Sequence, residues 1–353
     1  MEGYITFSHL NKVTEFLDNF CGTVEPSTRN AYFFYDNGLK IYASDNCGSM
    51  VMNFTRDFLP FDGVAVIPIQ YLKGLTRGKK KNSDEIVKIA IHKDHVLFSF
   101  EEMNLSTEIK KESSHPNIIK DFDNLSIDSL NDFIKKIDFV SASANEGDLI
   151  NIFTREKSIK FSYISDYYYT ESEYSKSEKD FSLSVPYVTI RHIVKSLKKL
   201  RKNSNISIGY KKDKLILLAP GVIINLCTSK YKHDVFEMEK FSFEEELRIK
   251  SNQLKKALDK MYISFKKNNI AYIVLSTNGS YIYKEENDSH LSWKLDIKSK
   301  NKYLIKIHIR KMRSILTRLP ENLLLKITQS KLIISDLKNT KMAIFQIQKS
   351  SKQ

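Results

Sequence analysis

The residues best suited to chemistry in this chain are its cations. "VTIRHIVKSLKKLRK", residues 188–202, sets Arg191, Lys195, Lys198, Lys199, Arg201 and Lys202 on one helical face with no carboxylate among them. Like charges three or four residues apart on a helix repel. Such a face is either a solvated surface in a lysine-rich chain or a contact surface for phosphates. Other candidates are weaker. His92 and His95 share a strand–turn stretch where the two imidazoles need not converge, so no metal site is expected. The acids of "DSLNDFIKKID" are scattered along a helix and solvate it, and the tyrosine run 167–169 suits partner contact or loop packing better than base stacking. No glycine-rich phosphate loop, Ser/His/Asp arrangement or Cys/His cluster occurs in the sequence. Cys21, Cys47 and Cys227 stand far apart in no metal-binding spacing, and read as reduced thiols of a cytosolic protein. The expectation is a non-catalytic protein with no metal and no cofactor.

The element that must carry those cations is a helix with an apolar stripe at Ile190, Ile193, Val194, Leu197 and Leu200, steps of three and four. An alternating strand, "DFSLSVP", precedes it. "NISIGYKKDKLILLAPGVIINLCTS" follows, three short strands turning near Lys212-Asp213 and Pro220-Gly221. The same strand–helix–meander closes the chain, with a strand at 303–307, a helix at 308–318 and strands at 323–328, 331–335 and 341–347. Four further copies begin with "GYITFSHLNKVTEFLDNF" (3–20), "GVAVIPIQYLKGLTRGKKK" (63–81), "LSIDSLNDFIKKIDFV" (125–140) and "ELRIKSNQLKKALDKM" (246–261). In the first copy Asn37-Gly38 marks a tight hairpin. Six units therefore begin near residues 3, 63, 125, 181, 246 and 303. One unit alone leaves a sheet face and an edge uncovered, so it needs neighbours. Pairing gives an α+β protein of three tandem domains, 1–124, 125–242 and 243–353, each a doubled strand–helix–antiparallel-sheet unit.

The chain has 353 residues and a net charge of +14. The six helical stretches 8–18, 69–81, 128–138, 187–202, 252–260 and 308–318 carry −1, +5, −1, +6, +2 and +4, a total of +15. Everything outside them nets −1, so the surplus belongs to one class of element. That points to a polyanionic partner. No apolar run approaches the roughly 20 residues of a membrane span. "MEGYITFSHLNK" lacks the basic start and apolar core of an export signal, so a cytoplasmic protein without membrane attachment is expected. No helix offers regularly spaced Arg, Asn or Gln pairs for reading bases. Sequence-independent phosphate contact is expected from Lys73, Arg77, Lys79, Arg191, Lys195, Lys198, Lys199, Lys202, Lys255, Lys256, Arg310, Lys311, Arg313 and Arg318.

Three doubled strand–helix–sheet domains with basic helices resemble the DNA sliding clamps. The bacterial form, the beta subunit of DNA polymerase III, has three domains per chain and closes as a dimer. The clamps of the proliferating cell nuclear antigen type have two domains and close as trimers. The local matches are "IKSNQLKKALDKM", "FSLSVPYVTIRHIVKSL" and "MAIFQIQ". The resemblance implies a homodimeric ring around double-stranded DNA, basic helices lining it, and a processivity role. The DNA polymerase and the clamp loader would bind through short peptide motifs. Carried over by position, the partner pocket would involve Ser165, Tyr169, Thr170, Tyr231, Phe236, Ala343 and Phe345. Three stretches depart from the family pattern: "SDYYYTESEY" (165–174), "YKHDVF" (231–236) and an ending that runs on to "KSSKQ". The alternative to a ring is a non-ring basic nucleic-acid-binding or regulatory protein. Ring closure would use sheet edges near residues 90–110 and 273–296.

Overall fold

A computed structural model describes the chain except residues 1, 22–28, 46, 56, 57, 59, 78–83, 111–121, 166, 167, 201, 202, 212, 231–241, 265–268, 287, 288 and 349–353. Six times the chain runs one strand, one helix and three strands. The first copy is β1 (Glu2–Thr6), α1 (Phe7–Phe20), β2 (Asn30–Tyr35), β3 (Leu39–Asp45) and β4 (Gly48–Thr55). Next come β5 (Val64–Pro68), α2 (Ile69–Thr76), β6 (Ile86–Ile91), β7 (His95–Phe100) and β8 (Met103–Lys110). The third is β9 (Asp123–Ser129), α3 (Leu130–Val140), β10 (Leu149–Arg155), β11 (Ser158–Ile164) and β12 (Tyr168–Lys176). The fourth is β13 (Ser182–Pro186), α4 (Tyr187–Leu197), β14 (Asn205–Lys211), β15 (Lys214–Ala219) and β16 (Val222–Cys227). After a two-residue strand, β17 (Ser229–Lys230), come β18 (Glu245–Lys250), α5 (Ser251–Ser264), β19 (Ile270–Leu275), β20 (Ser280–Glu286) and β21 (Ser289–Leu295). The last is β22 (Tyr303–His308), α6 (Ile309–Leu316), β23 (Asn322–Ile327), β24 (Lys331–Asp336) and β25 (Lys341–Gln348). The sixfold repeat and the α+β class expected from the sequence are both present.

Each copy is built by the same local forces. In α1 the Thr6 side chain accepts from the His9 amide at 3.2 Å, capping the helix start. Leu10, Val13, Leu17 and Phe20, three to four residues apart, then bury one face. The β2–β3 hairpin turns at Asn37 and Gly38, with φ of 53° and 121°. Both lie in the left-handed region that glycine, and asparagine to a lesser degree, adopts at low cost.

The chain divides into two compact units, residues 1–134 with 188–229, and residues 135–187 with 230–353. The middle third of the sequence contributes to both. In the first unit the strands order β1-β6-β7-β8-β5-β2-β3-β4-β16-β15-β14-β9. Its core holds Phe7, Phe16, Leu17, Phe33, Phe98, Leu72, Ile193 and Leu197, each at most 1 % exposed. In the second unit β12 pairs β25, β25 pairs both β22 and β24, and β19, β20 and β21 continue from β22 to an edge. Ile152, Phe161, Leu258, Met312 and Ile333 lie in its core.

Several helices end earlier than the charge pattern suggests. α2 stops at Thr76, whose hydroxyl donates back to the Leu72 carbonyl, and Arg77 is already extended. α4 stops at Leu197, and α6 stops at Leu316, just ahead of Pro320. Arg77, Lys198, Lys199 and Arg318 therefore sit beyond helix ends, not on helical faces as expected. α5 corrects in the other direction, running to Ser264. No helix among the described residues is long and apolar enough to cross a membrane.

Candidate nucleic-acid interface

In the first unit α1 lies against both α2 and α4. Ser196 of α4 donates to the Phe16 carbonyl of α1 at 3.1 Å, and a His192 ring nitrogen lies 3.1 Å from the Asn19 carbonyl. These bonds and the buried Ile193 and Leu197 set the roll of α4. Its outward positions are then Arg191 and Lys195, with Lys198 and Lys199 exposed in the following turn. Burial lowers the pKa of His192, opposed by the Asn19 carbonyl, so the ring adds no charge at neutral pH.

The acids of α1 compensate two of the candidate cations. Lys199 Nζ lies 2.7 Å from Glu15, and Lys73 Nζ lies 3.0 Å from Asp18, which also binds Arg29. A groove of about 670 Å3 runs between α1 and α2, lined by Glu15 and Asp18 beside Lys73 and Arg77. Exposed pairs of this kind contribute little to stability, but each cancels a charge that a phosphate would otherwise meet. Arg77, Arg191, Lys195 and Lys198 are exposed as well. Lys79 and Lys202 lie outside the described residues.

In the second unit α6 packs on α5 and on the short turn Ser141–Ser143 after α3. Here three of the six candidate cations are tied to neighbouring elements. Arg313 donates to Asp259 at 2.6 Å, and its guanidinium lies over the Tyr262 ring. Arg318 donates to Asp138 at 2.8 Å. Lys311 donates to the Ser143 carbonyl and to Asn145, and burial lowers its pKa. Arg310 stays exposed with its guanidinium over Tyr262, 5.3 Å from the ring centre. Lys256 is exposed and Lys255 half-buried on α5. The surplus charge therefore serves two ends, contact between helices and presentation to solvent.

The expected partner-pocket residues also belong to the second unit. β12 and β25 pair antiparallel, setting Tyr168 opposite Phe345, Tyr169 opposite Ile344 and Thr170 opposite Ala343. The strands do bring them together. Tyr169, Thr170, Ala343 and Phe345 are nonetheless buried, and Ser165 is half-buried. Tyr231 and Phe236 lie outside the described residues. Sequence reasoning missed Glu171, which in "SDYYYTESEY" looks like a solvating acid. It is 2 % exposed, accepts from Arg155 and from the Tyr169 hydroxyl, and has Lys160 at 3.6 Å. Burial and then the Glu171 charge push the Tyr169 pKa well above its usual value, so that hydroxyl stays a donor. The only sign in the sequence was the basic Arg155 and Lys160 flanking the neighbouring hairpin.

His92 and His95 stack with ring centres 4.4 Å apart, and His95 pairs with Asp94. No group of three or more metal-ligating side chains occurs among the described residues.

The whole chain superimposes on solved bacterial proteins. The DNA polymerase III subunit beta of Pseudomonas aeruginosa matches with a TM-score of 0.83 at 12% identity, over 99% of this chain and 100% of that one. This is the beta-subunit fold. The Thermotoga maritima beta subunit matches at 0.82 and 10% identity, over 99% and 100%. A Pseudomonas aeruginosa sliding clamp bound to griselimycin matches at 0.83 and 11%, over 99% of each chain. No protein-family model and no curated protein sequence matches the chain. The likeness is in backbone path and element order, at an identity that carries few side chains with it.

Proposed function

We propose that this chain is a DNA sliding clamp, a non-catalytic processivity factor that encircles duplex DNA without reading its sequence. One observation carries the reading. A full-length beta-subunit fold is combined with a surplus of positive charge concentrated in its helices and in the segments that directly follow them. Three domains, 1–124, 125–242 and 243–353, would close as a homodimer. Heterologous contacts of this kind close into rings when the rotation allows.

Two strands have the edges such closure needs. Among the described residues β21 pairs only with β20, and its residues from Ser289 to Lys294 are exposed or half-buried. Among the described residues β8 pairs with β7 from Met103 to Glu108 and meets β5 only at Ile109 and Lys110. Around β8 stand Glu101, Glu102 and Glu108, whereas β21 carries His290 and Lys294. Pairing β8 with β21 of a second copy would set these acids against Lys294. Arg77, Arg191, Lys195, Lys198, Lys256 and Arg310 would meet phosphates. The β12–β25 region around Ser165, Tyr169 and Phe345 would border the site for peptide motifs of a DNA polymerase and clamp loader.

Topology gives the decisive test. Protein loaded onto a closed circular duplex should stay bound at moderate salt and be lost when the circle is cut once. Equal retention on circular and linear DNA would mean ordinary patch binding by a non-ring protein.

A further inference from the structure

Cys47 and Cys227, 180 positions apart in the sequence, stand directly opposite each other in the first unit. β4 and β16 run antiparallel with Val222 opposite Met52 and, four rungs on, Leu226 opposite Gly48. The next rung is Cys227 opposite Cys47, where the Cys227 amide donates to the Cys47 carbonyl at 2.9 Å. At the other end of the ladder the Asn53 amide donates to Gly221 at 2.8 Å. Six residues separate the two rungs on each strand, an even number, so the cysteines occupy a hydrogen-bonded pair.

We propose that Cys47 and Cys227 form a reversible intrachain disulfide. In a hydrogen-bonded antiparallel pair the Cα atoms lie about 5.5 Å apart, inside the 4.4–6.8 Å span of disulfides. Side chains directly opposite each other leave the sheet by the same face, with Cβ atoms about 4.5–5.5 Å apart. A disulfide wants them about 3.5–4.5 Å apart, and a hydrogen-bonded pair lies at the long end of the sheet range, so closure needs a shift of roughly 1–2 Å. The position permits it. Cys47 belongs to the turn between β3 and β4, and Cys227 is the last residue of β16.

Access distinguishes these two thiols from the third. Cys227 is exposed and Cys47 partly so, on the face of Ser49 and Asn225. Cys21 is buried, and burial pushes its thiol up to about 12, leaving almost no thiolate to react.

The oxidant is the disulfide of a small monothiol of the glutathione class. The Cys227 thiolate attacks one of its sulfurs, breaking that S–S bond and expelling a thiolate, and a mixed disulfide forms. The Cys47 thiolate then attacks the Cys227 sulfur and expels the second small thiolate. Two protein thiols are oxidised, one small disulfide is reduced to two thiols, and each thiolate released takes up a proton given up by a cysteine. The new bond staples β4 of the first repeat to β16 of the fourth. It closes a long loop, which restricts the unfolded chain. The pairing stands whether or not the chain encircles DNA.

The test treats the full chain with oxidised glutathione, then denatures, alkylates and digests it. Alkylatable thiols should fall from three to one, Cys21, with a peptide cross-link joining Cys47 to Cys227. The melting temperature should rise, and dithiothreitol should reverse both changes. C47S and C227S should give no link and no rise, and C21S should keep both. The alkylation count on unmutated protein does not depend on any variant folding. Three alkylatable thiols after oxidation, separate glutathione adducts on Cys47 and Cys227, or a Cys227–Cys227 link between chains would each overturn the proposal.

Discussion

Replacing Arg191 and Lys195 by glutamine removes two exposed charges from α4 without touching its buried face. Their side chains point away from Ile193, Val194 and Leu197, which are at most 5 % exposed. Surface changes of this kind usually alter stability by less than about 0.5 kcal/mol, so the melting temperature should hold. Each lost phosphate contact lowers the slope of log affinity against log salt by about 0.9, or about 1.8 for the pair. Over a fourfold rise in salt, the double variant should lose roughly tenfold less affinity than the parent. The assay is anisotropy of a short labelled duplex titrated at several salt concentrations.

Two controls sharpen the reasoning. Glu15→Gln frees Lys199 from its partner 2.7 Å away, and should tighten binding and steepen the slope. Leu197→Asp places an unpaired charge at a site with no exposure, and should damage the fold by several kcal/mol. An unchanged salt slope in R191Q/K195Q, with the fold intact, would refute phosphate contact by α4 and remove the main electrostatic support for a clamp.

Other outcomes follow from the same geometry. Ser292→Pro takes an amide from the free edge of β21; light scattering should shift from twice 41.0 kDa to 41.0 kDa, and a parent that is already monomeric at micromolar concentration would refute edge pairing. Burial lowers the pKa of both His192 and His308, the latter also through nearby Lys311 and Arg310. Below the unfolded value of 6.5 the unfolded chain binds more protons, so stability is fully present above that pH and declines as pH falls from it through the lower folded values. Urea melts should show that decline, and H192Q/H308Q should flatten it. Arg155→Met leaves Glu171 buried with Lys160 as its remaining ion-pair partner, so it should destabilise the chain by about 3 kcal/mol, measured by the same melts; a change under about 0.5 kcal/mol would show that Glu171 is solvated.

Periodicity alone determined the repeat. Apolar spacings of three and four in "VTIRHIVKSLKKL", alternation in "DFSLSVP" and the Asn37-Gly38 turn are local properties, because one helical turn or one hairpin buries or bends within its own few residues. Net charge by helix was equally legible, since it needs only addition. Where helices end depended on finer events, such as Thr76 bonding back to Leu72, and the charge pattern overran those ends at Arg77 and Lys198. The tertiary structure decided which cations are compensated. Lys199 meets Glu15 and Arg318 meets Asp138 across 184 and 180 residues of sequence, and no local pattern encodes such a pairing. The same holds for Glu171, an acid by composition that the β11–β12–β25 sheet buries beside Tyr169, and for Cys47 and Cys227, far apart in the chain and joined on one rung only when β4 finds β16. Charge and periodicity are properties of segments, whereas pairing and burial belong to the contacts that segments make after folding.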